Sequence, residues 1–165
     1  MTEHFACVLA RRRGRWHAEE VSLADCESVA DVADVARDVP GELRLVLVEQ
    51  DDEYAAIVRV DDEDDDPRAF VSDGHAADAY PLAAVLVADL DEVGGADDPD
   101  DDILDDTPPV HESTPFGDPD IAEDLGTSAA DLLGMCEHEG TLPLDLLVAV
   151  CEKAGCGDEF DQLRA

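Results

Sequence analysis

The residues of this chain whose types could support a reaction are its histidines, cysteines and carboxylates. His17-Ala18-Glu19 matches the His-x-Glu half of the zinc nucleoside deaminase signature. That chemistry also needs a Pro-Cys-x-x-Cys pair to complete the metal site, but Cys151 and Cys156 are separated by four residues, and no proline precedes Cys151. The match is too short to predict a deaminase, and the alternative is an exposed strand residue beside Trp16.

A second candidate group is a set of thiols and one imidazole in the C-terminal part, which could approach one another in a helical bundle. Thiolates and imidazole together would suit zinc. The set is Cys136, His138, Cys151 and Cys156. Their spacing matches no standard finger, and helical cysteines commonly act as small core residues, so no metal residue is predicted.

The carboxylate clusters at 61–66 and 97–106 could attract calcium. Neither has the glycine and terminal glutamate that an EF-hand loop needs at fixed offsets, so solvated loops are the better interpretation. Asp73 with His75, or Glu53 with Asp73, could be drawn as acid–base pairs, but nothing in their spacing favours it. We therefore predict no catalytic, cofactor-binding or metal-binding residue, no cofactor and no enzymatic activity.

One short stretch is basic. Arg11-Arg12-Arg13-Gly14-Arg15 precedes Trp16, and on a hairpin tip the arginines could touch RNA phosphates while the indole stacks on a base. The alternative is a turn kept soluble by arginine, with Trp16 in the core. Repulsion of phosphate by the rest of the chain favours the alternative.

Charge dominates the composition. The chain has 44 acidic and 10 basic residues, a formal net charge of −34. Such a surface repels phosphate, which argues against a dedicated nucleic-acid binder and against anionic membranes. No lysine or arginine lies between Arg68 and Lys153, so the N-terminal region can present the less negative face.

We expect the protein to act in the cytoplasm. The charges of Arg11–Arg13 follow a short apolar run instead of preceding it, which is the wrong order for a secretory signal. No apolar run approaches the length that spans a membrane. Five cysteines form an odd count without framework spacing, which is typical of reduced thiols.

The elements that would position these residues begin with strands. Short apolar runs bounded by charged or glycine-containing turns predict five strands, and a helix with Ser28 as N-cap separates the second from the third. Leu43–Asp73 is the centre of the sheet, as a three-stranded meander. The predicted strands and helix are 4–10, 15–21, helix 27–39, then 43–50, 54–61 and 68–72.

The second half reads as helical on both sides of an acidic stretch. A segment at 74–90 carries Pro81 in its first turn, with Leu82, Val85, Leu86 and Leu90 as a buried stripe. Further helices are predicted at 118–125, 128–138 and from 143, ended by glycines. We predict an α+β sheet domain at 1–90, a flexible acidic linker at 91–115 and a helical segment at 116–165.

The order β-β-α-β-β-β-α is similar to longin, roadblock and profilin-like folds, an analogy of topology that implies no function. The chain also resembles an actinobacterial family called tRNA adenosine deaminase-associated proteins. Four segments and the Asp-rich linker between them carry this resemblance. The segments are 46–60 (with Val46-Leu-Val-Glu-Gln-Asp-Asp-Glu-Tyr54), 66–73 (Asp66-Pro-Arg-Ala-Phe-Val-Ser-Asp73), 115–126 (Pro115-Phe-Gly-Asp-Pro) and 133–143 (with Cys136-Glu-His-Glu-Gly-Thr-Leu-Pro143).

The resemblance implies association with the tRNA adenosine deaminase and assigns no activity or site residues. We therefore expect a non-enzymatic cytoplasmic accessory protein that binds a protein partner through the edges and outer face of its sheet, and the resemblance implies that this partner is the deaminase. The acidic linker would steer a basic partner. The alternatives are a small-molecule or metal-binding regulator with a pocket between sheet and helical bundle, and an acidic mimic of nucleic acid.

Overall fold

The computed structural model describes residues 4–62, 66–88, 90, 115–137 and 142–164. Except for Pro115, the segment predicted as an acidic linker lies outside these ranges, as does His138. Of the helices in the described ranges, none is long and apolar enough to cross a membrane.

The strands form one antiparallel sheet, which confirms the α+β prediction, but the described chain contains six strands and not five. The strand order across the sheet is β2-β1-β3-β4-β5-β6. The strands are β1 Phe5–Arg12, β2 Arg15–Glu20, β3 Leu43–Gln50, β4 Tyr54–Asp61, β5 Arg68–Val71 and β6 Phe116–Gly117.

The additional strand, β6, is supplied by the C-terminal part of the chain. Phe116 lies opposite Val71 and Gly117 opposite Phe70, so β6 extends the sheet beyond β5. A strand of two residues, one of them glycine, cannot show the alternation that marks a strand in a sequence. This is why the sequence predicts five strands.

The hairpin tip between β1 and β2 has the geometry that its glycine predicts. Arg13 and Gly14 both have positive φ, at 53° and 80°. Two such residues make a two-residue type I′ turn, whose twist matches that of the strands. The Arg13 amide also donates to the Glu42 carboxylate at 2.9 Å, which fixes the tip against the start of β3.

Helices α1 (Val29–Arg37) and α2 (Pro81–Val87) cover one face of the sheet. Ser28 caps α1 as predicted, with its hydroxyl accepting from the Asp31 amide at 3.2 Å. A 3₁₀ turn at Gly74–Asp78 precedes α2. This side of the sheet, called the first core, includes Ala6, Val8, Ala10, Val46, Val48, Val58, Val32, Ala33, Ala36, Ala83 and Leu86.

Helices α3 (Ala129–Glu137), α4 (Pro143–Ala154) and α5 (Gly157–Arg164) pack on the opposite face. The helix predicted at 118–125 is wrong in type, because these residues form turns and a 3₁₀ segment at Glu123–Leu125. This side, called the second core, includes Cys7, Leu9, Leu45, Leu47, Ile57, Phe70, Ile121, Leu132, Leu147, Val150, Cys151, Cys156 and Phe160.

Both faces of the central strands are therefore buried. Val46 and Val48 of β3 point into the first core, while Leu45 and Leu47 point into the second. A strand covered on both faces reads as a continuous apolar run, as Leu43–Val48 nearly does. Because helices cover it, the outer face of the sheet is not the docking surface that the sequence suggested.

Gly134 gives a simple test of the helical assignment of α3. It lies inside the helix, is exposed, and a methyl group there would meet no atom within 4 Å. We expect Gly134→Ala to raise the free energy of unfolding by about 0.5–1 kcal/mol, because alanine loses less backbone entropy in a helix. Urea unfolding followed by circular dichroism measures the change.

The matched control is Gly155→Ala at the end of α4. Gly155 has φ +93°, which a side chain disfavours, although the nearest atom to its methyl group would be 3.8 Å away. This variant should lose about 1 kcal/mol. If Gly134→Ala also lost stability, α3 would not be a regular helix at this position.

Candidate functional site

The structure separates the two halves of the deaminase-like pattern. His17 lies on the edge strand β2, exposed, with its Nε2 3.7 Å from the Glu19 carboxylate. It is opposite Ala10, whose side chain points into the first core. Cys151 and Cys156 lie in the second core, on the other side of the sheet. The imidazole and the thiols are therefore not brought together.

Burial in the second core favours the protonated form of the Cys7 and Cys151 thiols, because it raises the pKa of both. Cys7, Cys151 and Cys156 are fully buried. A hydrogen bond between the Cys151 and Cys156 side chains that favours the protonated Cys151, together with burial, raises the pKa of Cys151, and burial raises the pKa of Cys7 to about 12. A protonated thiol is a poor nucleophile and a poor metal ligand. Within the described ranges, no three histidine, cysteine or carboxylate side chains are grouped to hold a metal ion.

Trp16 belongs to the second core and not to an RNA-stacking surface. Its indole Nε1 donates to the Ala154 carbonyl at 3.2 Å. The Arg11 guanidinium lies over the ring, 5.7 Å from its centre. These contacts join β2 to the end of α4, so the basic stretch keeps its exposed arginines but loses the aromatic group that stacking requires.

Two carboxylates of the predicted 61–66 cluster form ion pairs with arginine. Asp61 accepts from Arg59 at 3.0 Å and Asp62 from Arg44 at 2.9 Å. Residues 63–65, like the second cluster at 97–106, lie outside the described ranges. Asp73 caps the 3₁₀ turn by accepting from the His75 amide at 3.0 Å. These contacts are structural.

Arg59 is a buried charge that donates hydrogen bonds to three residues. Its side chain is only 8% exposed. It makes a two-point contact with the Asp124 carboxylate, at 2.6 and 2.8 Å, and donates to the Ile121 carbonyl at 2.8 Å. Hydrogen bonding from this guanidinium holds the pKa of Asp124 below its ordinary value. The pair ties β4 to the segment that follows β6.

A pocket lies between the sheet and the C-terminal helices. It has a volume of about 120 Å³, and its lining includes Ser72, Met135, Cys136 and Leu146. Small-molecule sites typically have a volume of about 300–1,000 Å³. The volume of this pocket is below that range.

Two larger concavities meet at the end of the sheet where β1 begins and the β3–β4 turn lies. The first, about 630 Å³, is called the acidic pocket. The second, about 400 Å³, is called the apolar groove, and His4 lines both. The acidic pocket is lined by His4, Phe5, Ala6, Glu20, Val21, Ser22, Glu49, Asp51 and Asp52. The apolar groove is lined by His4, Leu23, Ala24, Cys26, Gln50, Pro81, Leu82 and Val85.

Hydrogen bonds fix the walls of both concavities. The His4 Nε2 accepts from the Leu23 amide at 3.1 Å, which holds the segment after β2 against the start of β1. Glu49 accepts from the Asp52 amide at 3.0 Å across the turn. Burial raises the pKa of Glu49, and the Asp52 carboxylate adds to the effect. The pocket therefore concentrates negative charge at a partly desolvated position.

The sequence contains only a partial signal for this surface. Its walls come from the first strand, the segment after β2, the β3–β4 turn and α2, which are distant in the chain. Most of its residues are ordinary carboxylates and aliphatic side chains, without a motif. A partial signal is that α2 carries more apolar residues than one helix face needs.

Comparison with protein families gives a match over most of the chain. Residues 4–157 match the model of the Rv3753c-like tRNA adenosine deaminase-associated protein family. No curated protein and no solved structure matches the chain, so the similarity to longin, roadblock and profilin-like folds stays an analogy. The match extends over nearly the whole chain, including β1 to β6 and α1 to α4. The chain therefore belongs to the Rv3753c-like tRNA adenosine deaminase-associated protein family.

Proposed function

We propose that this protein is a non-enzymatic cytoplasmic accessory protein of the tRNA adenosine deaminase system that acts by binding the deaminase. The observation that carries the proposal is the family match over residues 4–157. The described geometry is compatible with it, because the sheet separates His17 from the buried thiols of Cys151 and Cys156.

Electrostatics support a basic partner. The net charge of −34 produces a strong negative field, which attracts positive surfaces and accelerates their encounter. An enzyme that binds tRNA must present basic surface to the phosphates. The exposed surface outside the second core, including the edge strand β2, remains accessible for such a contact.

The test is a direct binding measurement between the purified chain and the tRNA adenosine deaminase from the same organism. We expect a complex of defined stoichiometry by calorimetry. Its association rate should fall by about tenfold or more between low and high salt, because salt screens the attraction. An unrelated protein of similar net charge is the control for non-specific attraction.

Addition of tRNA distinguishes an accessory protein from a mimic of nucleic acid. An accessory protein leaves tRNA bound to the deaminase, whereas a mimic displaces it in proportion to its own concentration. Absence of any complex at low salt, with both proteins folded, contradicts the proposed function.

A further inference from the structure

The apolar groove exists because α2 leaves part of its apolar surface uncovered. The helix buries Ala83 and Leu86 in the first core. Leu82 and Val85 are only partly buried and line the groove, together with the half-exposed Cys26 on its other side. The groove is thus an apolar strip between α2 and the segment that follows β2.

The acidic pocket continues this strip on the other side of His4. Glu20 at the end of β2 faces Glu49, Asp51 and Asp52 of the β3–β4 turn across it. In the part of the chain that the structure describes, no arginine or lysine forms an ion pair with these four carboxylates. An incoming cation would therefore meet negative charge that no internal basic side chain has neutralised.

The acidic pocket and the apolar groove together restrict which kind of ligand can bind. A second copy of the chain carries a net charge of −34 and is repelled. The chain's own segment at 91–114 has ten carboxylates and no lysine or arginine, so the acidic pocket repels it as well. A nucleic acid is excluded by its phosphates. Only an occupant with both cationic and aliphatic groups is complementary to the pocket and the groove at once.

We propose that the acidic pocket and the apolar groove form one docking surface for a basic amphipathic segment of a protein partner. Lysine or arginine side chains of the segment lie among Glu20, Glu49 and Asp52, and its aliphatic side chains contact Leu82 and Val85. Recognition of amphipathic segments in apolar grooves is a common mode of peptide binding. Only the identification of the deaminase as the partner rests on the proposed function.

The test uses the full chain and a fluorescent Leu–Lys amphipathic peptide, with binding measured by anisotropy. Two double variants test the acidic pocket and the apolar groove separately. Glu20→Gln with Glu49→Gln removes charge, and Leu82→Ser with Val85→Ser removes apolar contact. We expect each to weaken peptide affinity by about tenfold, since losing a charge partner or apolar contacts at such a surface has effects of this size.

Matched controls separate local from general effects. Glu123→Gln with Glu152→Gln makes the same change in net charge on exposed residues elsewhere, and Leu142→Ser alters an exposed leucine outside the groove. These variants should bind the peptide within about twofold of the wild-type protein. Circular dichroism and melting temperature verify that every variant is folded.

Several results would overturn the proposal. One is an unchanged peptide affinity in both groove variants. Another is equal binding of an all-lysine peptide, which would show a site for cations alone. Displacement of the probe by a peptide of residues 91–114, or a dimer lost in the Leu82→Ser and Val85→Ser variant, would assign the groove to the chain itself.

Measuring the binding of the deaminase as well as of the peptide distinguishes a failure of the docking surface from a failure of the proposed function. A wild-type chain that binds the peptide through the groove but never binds the deaminase contradicts the proposed function and leaves the docking surface standing. In the opposite case, the wild-type chain binds the deaminase, but the groove variants bind the peptide as tightly as the wild-type chain does. That result contradicts only the proposed docking surface.

Discussion

Replacing Gly117 with alanine is expected to lower the free energy of unfolding by about 3–5 kcal/mol. Gly117 lies in β6 with φ +100°, a conformation that side chains disfavour, and a methyl group there would overlap the Ala69 carbonyl oxygen. That carbonyl also accepts from the Asp118 amide at 2.9 Å. The variant must therefore distort both the backbone and the β5–β6 pairing.

Urea unfolding monitored by the single tryptophan measures this loss, since Trp16 contacts Ala154 in the folded protein. Hydrogen exchange at Ile121 and Asp118 shows whether β6 separates locally before global unfolding.

The control is Gly14→Asn. Gly14 lies in the β1–β2 turn with φ +80°, but no atom lies within 4 Å of the carbon that the substitution adds. Asparagine tolerates this conformation, so the control should change stability by less than about 0.5 kcal/mol. Equal effects of both variants would contradict the steric argument.

The sequence predicts correctly the strands and helix starts that depend on residues close to one another in the chain. The strands at Leu43–Gln50 and Tyr54–Asp61 follow from β-branched runs between charged turns. Ser28 and Pro81 mark the starts of α1 and α2, because capping and a fixed φ act within one helical turn.

Features that depend on distant contacts were missed. Strand β6 exists because β5 offers a free edge, and nothing within Phe116–Gly117 indicates this. In α2, the predicted buried stripe included Leu82 and Val85, but Ala83 is fully buried instead. Both faces of this helix are apolar, so periodicity could not show which one contacts the sheet. Because Ala83 and Leu86 face the sheet, Leu82 and Val85 stay partly exposed and line the apolar groove.

The two halves of the deaminase-like pattern do not have the required spacing in the sequence, and the structure shows where each half lies. His17 shares the face of Ala10 and of the first core, whereas Cys151 lies on α4, which packs on the opposite face of the sheet. The position of the acidic pocket could not be predicted, since Glu20 and Glu49 approach only when β1 lies between β2 and β3.

Replacing Arg59 with methionine is expected to lower the free energy of unfolding by about 2–3 kcal/mol at neutral pH. Methionine keeps most of the buried stem but removes the guanidinium that contacts Asp61, Asp124 and the buried Ile121 carbonyl. The carbonyl then loses its partner. The two carboxylates are 31% and 62% exposed and remain hydrated, which keeps the loss below that of a fully buried pair. Chemical unfolding at fixed salt measures the difference.

The control is Arg68→Met. Arg68 pairs with Asp118 and Asp120 at 2.8 Å, but all three side chains are at least one third exposed (34%, 51% and 52%), so the loss should be about 1 kcal/mol or less. A loss for Arg68→Met that equals the loss for Arg59→Met would mean that burial does not distinguish the two contacts.

The stability difference between wild type and Arg59→Met should depend on pH in one direction. Arg59 holds the pKa of Asp124 below its ordinary value of about 3.9. A carboxyl group with a lowered folded-state pKa contributes stability that is complete above its unfolded-state pKa and is lost as pH falls through the folded-state value. The difference should therefore be constant from neutral pH to about pH 5 and narrow below about pH 4. Because both proteins carry the same carboxylates, the difference reports on the contacts that the Arg59 guanidinium makes. A difference that stayed constant as the pH fell below about 4 would mean that Arg59 stabilises the fold through the Ile121 carbonyl, without its ion pair to Asp124.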